Sequence, residues 1–365
     1  MGTGKSLIAL HTVAGHETCL VVCPAFLRQN WRDEISKWTQ GGKFTVISYD
    51  FLARNDVGYY DACICDEFHY VKNKDAKRTL ALYSWVVHNK PKTLIGLTGT
   101  PIKNRVTDFW APFKILLRDK MGLDYWGFAN TFSHRRDIRI KGRNVTKYEG
   151  LRNTEKLKAF IKPFLSRTLA KNVLDLPDQV YREISIADKR FDKDLKIKVD
   201  LYLKENSLTK NMASTKLVNA TAKVRHTIEL ANTILESGKP VIIFTDHVKP
   251  CNEIARMFHV EPIHGESTAD RSRIVKDFNE GRQDVIVATI PSLSVGVNLT
   301  RCNHMIFNDY SYIPAEMAQA EKRIHRIGQK GTCFYYYLFA GALDRYIHNM
   351  LKEKSLISKK VLDKD

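Results

Sequence analysis

Five residues at the start of the chain have the types and the order of a phosphate-binding loop. They match the second half of the pattern G-x-x-x-x-G-K-[ST], and they are Gly2, Thr3, Gly4, Lys5 and Ser6. In such a loop backbone N–H groups cradle phosphates, the lysine reaches the β- and γ-phosphates, and the hydroxyl ligates Mg²⁺. The half-motif therefore indicates a nucleotide site, although the same five residues also suit an ordinary glycine turn.

A pair of carboxylates follows an apolar run in ICDEFHYVKN (64–73). An apolar strand that ends in Asp-Glu is the Walker B arrangement, in which Asp66 would hold Mg²⁺ and Glu67 would orient and deprotonate the attacking water. A pair of acidic residues on the surface at a strand end would give the same sequence pattern. The phosphate-loop residues in the same predicted lobe favour the catalytic interpretation.

Two further segments contain residues suited to phosphate chemistry. GLTGTPIKN (96–104) predicts a strand that leads into a small-residue turn, where Thr98 and Thr100 could sense the γ-phosphate. QAEKRIHRIGQ (319–329) spaces Gln319, Arg323 and Arg326 at i, i+4 and i+7, which predicts one helix face with two guanidinium groups. An arginine finger contributes about 10³ to 10⁵ in rate to related phosphoryl transfers. A solvated basic helix face is the alternative.

The elements that must position these residues alternate along the chain. Short apolar runs separated by helix-length segments predict parallel strands in an α/β fold. The predicted strands of the first half are CLVVC (19–23), FTVIS (44–48), YDACIC (60–65) and TLIGL (93–97). Those of the second half are PVIIFT (240–245), VEPIHG (260–265), DVIVAT (284–289), HMIFND (304–309) and CFYYYLF (333–339).

Residues 105–235 have a different character, since they are charged and mostly helical in period. We therefore expect an N-terminal lobe with a helical protrusion at 1–178, a helical protrusion or linker at 179–236, and a C-terminal lobe at 237–365. Within the first of these, HRRDIRIKGRNVTK (134–147) reads as a basic, solvated arm or loop that could contact phosphates.

Composition narrows the classes of partner. Lys and Arg number 58 against 40 Asp and Glu, and the resulting net charge of +18 favours a polyanionic partner such as nucleic acid. No apolar stretch approaches the roughly 20 residues that span a bilayer, so no membrane partner is expected. The seven cysteines show no zinc spacing, which favours buried reduced thiols and an intracellular protein.

The four segments described first, 2–6, 64–73, 96–104 and 319–329, resemble in this order motifs I, II, III and VI of the superfamily-two helicase-like ATPases. Their sequences are similar to those of the Swi/Snf translocases, with DE-x-H followed by KN, then LTGTP-I-x-N, then Q-A-x-x-R-x-H-R-I-G-Q. CPAFLRQNW (23–31), IIFTDH (242–247), HGESTADRSRIVKDFN (264–279) and SVGVNLT (294–300) resemble other motifs of that family, and the compact layout resembles its small annealing-helicase branch.

The resemblance implies two RecA-like lobes with parallel sheets, ATP and Mg²⁺ as ligands, and double-stranded or branched DNA as partner. It implies translocation along DNA without ordinary strand separation. It assigns catalysis to Glu67, Asp66, Arg323, Arg326 and Gln319. It assigns ATP contacts to the five phosphate-loop residues and Gly296, and Mg²⁺ binding to Ser6 and Asp66.

Two alternatives stay open at this point. One is a helicase that separates strands of DNA or RNA. The other is a DNA-binding fragment with weak catalysis, because motif I begins here in its middle, without the strand and adenine-contacting loop that precede it in relatives. On that ground we expect the chain to be a fragment with an imperfect first lobe and poor ATP hydrolysis.

Overall fold

The computed structural model describes residues 3–40, 43–101, 105–140, 143–168, 173–186, 210–293 and 297–362. The chain divides into two compact units, one of residues 1–169 with 356–365 and the other of residues 170–355. Each unit is built on a parallel sheet with helices around it, which confirms the predicted α/β class. Within the described residues, no helix is both long enough and apolar enough to span a membrane.

The N-terminal unit has a sheet of four parallel strands. They are β1 (Cys19–Cys23), β2 (Phe44–Ser48), β3 (Ala62–Cys65) and β4 (Thr93–Gly96), in the spatial order β2-β1-β3-β4. Every residue of β1 and β3 is buried, as expected for parallel strands covered on both faces. The helices of this part are α1 (Lys5–Thr12), α2 (Arg28–Trp38), α3 (Tyr49–Leu52) and α4 (Lys77–Asn89).

A second subdomain of the same unit contains α5 (Trp110–Leu117), α6 (Tyr125–Phe132), β5 (His134–Ile140), β6 (Arg143–Glu149) and α7 (Thr154–Ile161). Its helices share a phenylalanine-rich core, and Val361 and Leu362 from the end of the chain are buried in it. The basic segment 134–147 is an antiparallel hairpin rather than a loop, because β5 and β6 pair over seven positions.

The C-terminal unit has a sheet of five parallel strands. They are β7 (Gln179–Ser185), β8 (Val241–Thr245), β9 (Val285–Thr289), β10 (His304–Phe307) and β11 (Cys333–Phe339), in the spatial order β7-β11-β10-β8-β9. The remaining elements are α8 (Lys210–Glu236), α9 (Val248–Met257), α10 (Arg271–Asn279), α11 (Ile290–Leu293), α12 (Pro314–Glu321) and α13 (Ala342–Leu362), of which the last belongs to this unit only as far as Ser355.

Two further segments differ from the sequence-based prediction. Segment 260–265 is not a strand, since it forms only a bridge between Ile263 and Ala288, and Pro262 beside it has no N–H to donate. Segment 179–236 is not wholly helical, because it begins with β7. The helix α2 buries Trp31 and Ile35, whereas Trp38 at its end is 46% exposed. All seven cysteines are buried and unpaired, as the sequence suggested.

A buried ion pair connects α8 with the start of α13. Lys223 Nζ donates to Asp344 Oδ1 at 2.9 Å and to the carbonyl of Leu338 at 3.2 Å. The other oxygen of Asp344 accepts the N–H of Ala340 at 2.7 Å. The side chains of Lys223 and Asp344 are 0% and 2% exposed. Each buried charge is therefore compensated mainly by the other rather than by water.

We expect Lys223→Met to lower the free energy of unfolding by about 3–5 kcal/mol, because it leaves the Asp344 carboxylate buried without its partner. Denaturant titration of the variant measures this loss. The double variant Lys223→Met with Asp344→Leu should recover at least half of it. A single variant as stable as the wild type would show that the pair is energetically unimportant.

Candidate functional site

Two loops lie side by side at the carboxyl end of the N-terminal sheet. Strands β3 and β4 pair in parallel with Cys65 opposite Gly96, so the residues that follow them emerge together. Leu97 N–H donates to the Cys65 carbonyl, and Phe68 N–H donates to the Leu97 carbonyl, each at 2.8 Å. A Cβ on Gly96 would lie 2.4 Å from the Phe68 ring, so glycine is required for this approach. Ligands of parallel α/β sheets bind at this end of the strands.

Asp66 is the first residue after β3, and its carboxylate is held by two donors. Trp31 Nε1–H donates to Oδ2 at 2.9 Å, and the Glu67 N–H donates to Oδ1 at 2.8 Å. Burial raises the pKa of Asp66 to about 6, and the neighbouring Glu67 charge raises it as well, while the two hydrogen bonds and the charge of Lys5 act against the rise. Lys5 is therefore close enough to Asp66 for their charges to interact.

Glu67 is the second carboxylate, and its backbone has a left-handed φ of 46°. This conformation is uncommon outside glycine and is found at functional sites, where the surrounding structure maintains it. Its side chain is only 12% exposed, and its Oε2 lies 3.2 Å from His69 Nδ1. The same nitrogen lies 3.2 Å from the Thr98 hydroxyl, which also accepts the Thr100 N–H at 3.0 Å. A polar chain thus links Glu67 to the loop after β4.

The phosphate-loop residues lie at the start of α1. Gly4 has a φ of 75° and is the N-cap, and Lys5 and Ser6 form the first turn, where their backbone N–H groups have no partner within the helix. Thr3, Lys5 and Ser6 are half-buried. Gly2 lies outside the described residues. The structure therefore gives a helix N-terminus suited to phosphate, with Lys5 acting electrostatically on Asp66.

The predicted helix through 319–329 is wrong in its extent. Helix α12 ends at Glu321, and the chain continues through turns in which Gly328 has a φ of 100°. Arg323 NH1 and Arg326 NH1 both donate to the carbonyl of Val297, at 3.1 and 3.0 Å. These bonds to a neighbouring segment replace the regular helix and bring the two guanidinium groups to one acceptor.

The arginines differ in accessibility. Arg323 is 5% exposed, and its Nε also donates to the carbonyl of Gln319, which is itself 4% exposed. Arg326 is half-buried, and burial lowers its pKa. Gly296, the predicted ATP contact beside Val297, lies outside the described residues. The catalytic assignments of Gln319, Arg323 and Arg326 remain predictions.

Two residues at the N-terminal site were not predicted to act there. Trp31 is buried on α2, and its indole N–H donates to the Asp66 carboxylate. His69 connects Glu67 with Thr98, and its place two residues after Glu67 was the only sequence signal for that role.

Profiles of known families match most of the chain. The profile described as "SNF2-related domain" matches residues 49–233, which is half of the chain, and the profile "Helicase conserved C-terminal domain" matches residues 222–328.

Two relatives and one solved structure are similar to this chain. DNA annealing helicase and endonuclease ZRANB3 of Bos taurus is 24% identical, over 100% of this chain and 38% of its own length. The SWI/SNF-related matrix-associated actin-dependent regulator of chromatin subfamily A-like protein 1 homolog of Caenorhabditis elegans is 27% identical, over 97% and 57%. The chain thus spans less than two thirds of these relatives. The Sulfolobus solfataricus SWI2/SNF2 ATPase core in complex with dsDNA is 23% identical, with a TM-score of 0.42 over 100% of this chain and 92% of that one.

The raised pKa of Asp66 predicts a specific dependence of stability on pH. Between about pH 4 and 6 the folded carboxyl keeps its proton and the unfolded one loses it, so the free energy of unfolding falls as pH rises through this window. At about 1.4 kcal/mol per pKa unit the loss is about 2–3 kcal/mol. Denaturant titrations of wild type and Asp66→Asn across pH 4–7 isolate this contribution. A stability difference that is constant with pH would contradict it.

Proposed function

Because this chain belongs to the SNF2-related family, we propose that it hydrolyses ATP in response to double-stranded DNA and uses the cycle to move along the duplex. One observation carries the proposal: Asp66 and Glu67 lie half-buried at the carboxyl end of a parallel sheet, beside Lys5 and the loop of Thr98. Asp66, whose charge is made costly by burial, with a second carboxylate beside it at Glu67, suits a site that receives a cation and a phosphate.

The chemistry of the residues fits Mg²⁺, which prefers oxygen ligands and stays partly hydrated. Asp66 supplies a carboxylate whose charge is destabilised by burial, and Ser6 supplies a hydroxyl in the first turn of α1. These two residues would hold the ion, which when bound neutralises developing charge on the phosphates. Lys5 and the N-terminal amides of α1 bind phosphate oxygens.

Glu67 is the group that orients the attacking water and accepts its proton. His69 Nδ1 lies 3.2 Å from both the Glu67 carboxylate and the Thr98 hydroxyl, so a shift of the loop after β4 would reach the base through His69. Arg326 contributes positive charge during hydrolysis. Arg323 has a positioning role. Its side chain is buried and donates to the same Val297 carbonyl as Arg326 does. Gln319 positions Arg323 through its own carbonyl.

The basic β5–β6 hairpin supports a phosphate-binding role. Arg136 and Lys147 are directly opposite each other across the hairpin, an arrangement of like charges that is destabilising by itself. Neither forms an ion pair with any residue that the structure describes, whereas Arg135 on the other face pairs with Asp137 at 3.2 Å. A backbone phosphate would relieve the repulsion without reading sequence.

The name of one relative, DNA annealing helicase and endonuclease ZRANB3, favours annealing-type activity over strand separation, and we propose double-stranded or branched DNA as the partner. A strand-separating helicase and a catalytically weak DNA-binding protein remain the alternatives. Turnover assays with and without duplex DNA, together with a strand-displacement assay, separate all three, since only the proposed function gives stimulated turnover without displacement.

The proposed function predicts that Glu67→Gln abolishes DNA-stimulated ATP hydrolysis and leaves ATP binding within a few fold, because an amide cannot accept the proton of water. Phosphate release by the full-length gene product, with and without duplex DNA, measures the effect. Glu155→Gln, at an exposed position on α7, is the control. Hydrolysis by Glu67→Gln close to that of wild type would remove this residue from the mechanism.

The hairpin predicts a change in salt dependence. Replacing Arg136 and Lys147 together by Gln should reduce the slope of log K against log salt by about 2, since each phosphate contact contributes about 0.9. Binding of a blunt duplex, measured by anisotropy at several salt concentrations, gives the slope. Arg225→Gln is a matched control, because Arg225 already pairs with Glu229 at 2.9 Å. An unchanged slope would show that the hairpin does not contact the duplex.

A further inference from the structure

A cavity of about 370 Å³ lies within the C-terminal unit, bounded by β7, β11, α12 and α13. Its volume is near the lower end of ligand pockets, which are about 300–1,000 Å³. The residues on which its chemistry depends are Tyr181, Tyr310, Met317, Glu321, Tyr337 and Leu351. Neither the proposed ATP chemistry nor the proposed DNA contact uses this cavity.

Aromatic rings on one face of the sheet form part of the cavity wall. The register places Tyr181 of β7 opposite Tyr335 of β11, and their rings are stacked with centroids 5.0 Å apart. Tyr337 lies two residues further along β11 on the same face, and its ring is 5.6 Å from that of Tyr310. Tyr181 remains 52% exposed. Aromatic ring faces carry partial negative charge and attract cations.

A carboxylate lies among these rings. Glu321, the last residue of α12, accepts hydrogen bonds from the Tyr181 hydroxyl at 3.1 Å and from the Tyr337 hydroxyl. Its backbone carbonyl accepts the Tyr335 hydroxyl at 3.0 Å. Within the part of the chain that the structure describes, Glu321 forms no ion pair. Burial raises its pKa, which the phenolic donors and the charge of Lys322 oppose. The carboxylate is therefore fixed in place and lacks a countercharge in contact.

The mouth of the cavity adds little positive charge. Glu183 lines it and lies 3.6 Å from Lys352 Nζ and 3.8 Å from His348 Nδ1. Burial, with the charge of Lys352, lowers the pKa of His348 against the opposing charge of Glu183, which disfavours the protonated ring. The charged groups of the wall are thus two carboxylates and one exposed ammonium group. A cation is the complementary occupant.

We propose that this cavity binds the guanidinium group of an arginine side chain supplied by a partner protein. A guanidinium is planar and weakly hydrated, stacks on aromatic faces, and can donate two parallel hydrogen bonds to one carboxylate. An ammonium group is compact and strongly hydrated, so it gains less from tyrosine faces. The apolar surface of Met317 and Leu351 suits the methylene part of the arginine side chain.

Occupancy would act on the end of α12. Glu321 closes this helix, and the chain then continues directly to Arg323 and Arg326. An arginine bound to Glu321 therefore gives a partner protein a route to influence the segment for which we propose a role in hydrolysis. Only this consequence rests on the proposed function, since the binding itself does not require ATP or DNA.

Titration of the full chain with N-acetyl-arginine methylamide, followed by NMR of the protein, tests the site directly. We expect saturable binding in the millimolar range, as is usual for a single side chain. N-acetyl-citrulline methylamide has nearly the same shape without the charge and should bind at least about tenfold more weakly. The corresponding lysine derivative should also bind more weakly than arginine.

Two variants locate the binding. Glu321→Gln removes the charge, and Ser355→Trp fills the cavity from α13 without altering the bonds of Glu321. Both should lose arginine binding, whereas Glu316→Gln on the same helix, outside the cavity, should retain it. Equal binding of citrulline or lysine, retained binding in both cavity variants, or no binding to folded wild type would each overturn the proposal. Because the readout is binding, such a result would leave the ATPase proposal intact.

Discussion

The burial of Asp66 beside Glu67 is the constraint on which the N-terminal site depends. Two like charges at the end of a buried strand are unfavourable in a low dielectric, and the rise in the pKa of Asp66 reflects that cost. Two hydrogen-bond donors reduce this electrostatic cost: an indole N–H from α2 and the backbone N–H of Glu67. The charge of Lys5 reduces it further. A bound cation would remove the remaining cost, which links stability of the site to its occupancy.

The same constraint explains local features that seem unrelated in the sequence. Glu67, with its left-handed backbone, donates its N–H to Asp66 and places its side chain beside His69. Gly96 allows the Phe68 ring to approach β4, which keeps the two loops adjacent. In the C-terminal unit, the Val297 carbonyl accepts hydrogen bonds from both Arg323 and Arg326 and so keeps them adjacent, although the chain around them is not helical.

Most strands could be predicted from the sequence because parallel strands covered on both faces are continuous apolar runs, as in β1, β8 and β9. The β5–β6 hairpin could not, since its strands are polar and cross-strand pairing, rather than burial, defines them. The helix predicted through Arg326 ended early because tertiary hydrogen bonds to Val297 outweighed the helical spacing. Asp66 and Glu67 were found from their position after an apolar run. The role of Trp31 required the fold, because its partner is 35 residues away.

If Asp66 holds Mg²⁺, its ionised carboxylate becomes favourable when Mg²⁺ and nucleotide bind. Thermal unfolding of wild type and Asp66→Asn with ADP, in the presence of Mg²⁺ or of EDTA, tests this without turnover. Ligand that binds only the folded state stabilises it by about 2.7 kcal/mol at a hundredfold excess over Kd. We expect Mg²⁺ to enlarge the ADP-induced rise in Tm of the wild type and to have no such effect on Asp66→Asn. An equal Mg²⁺-dependent rise in both proteins, or none in the wild type, would contradict the account.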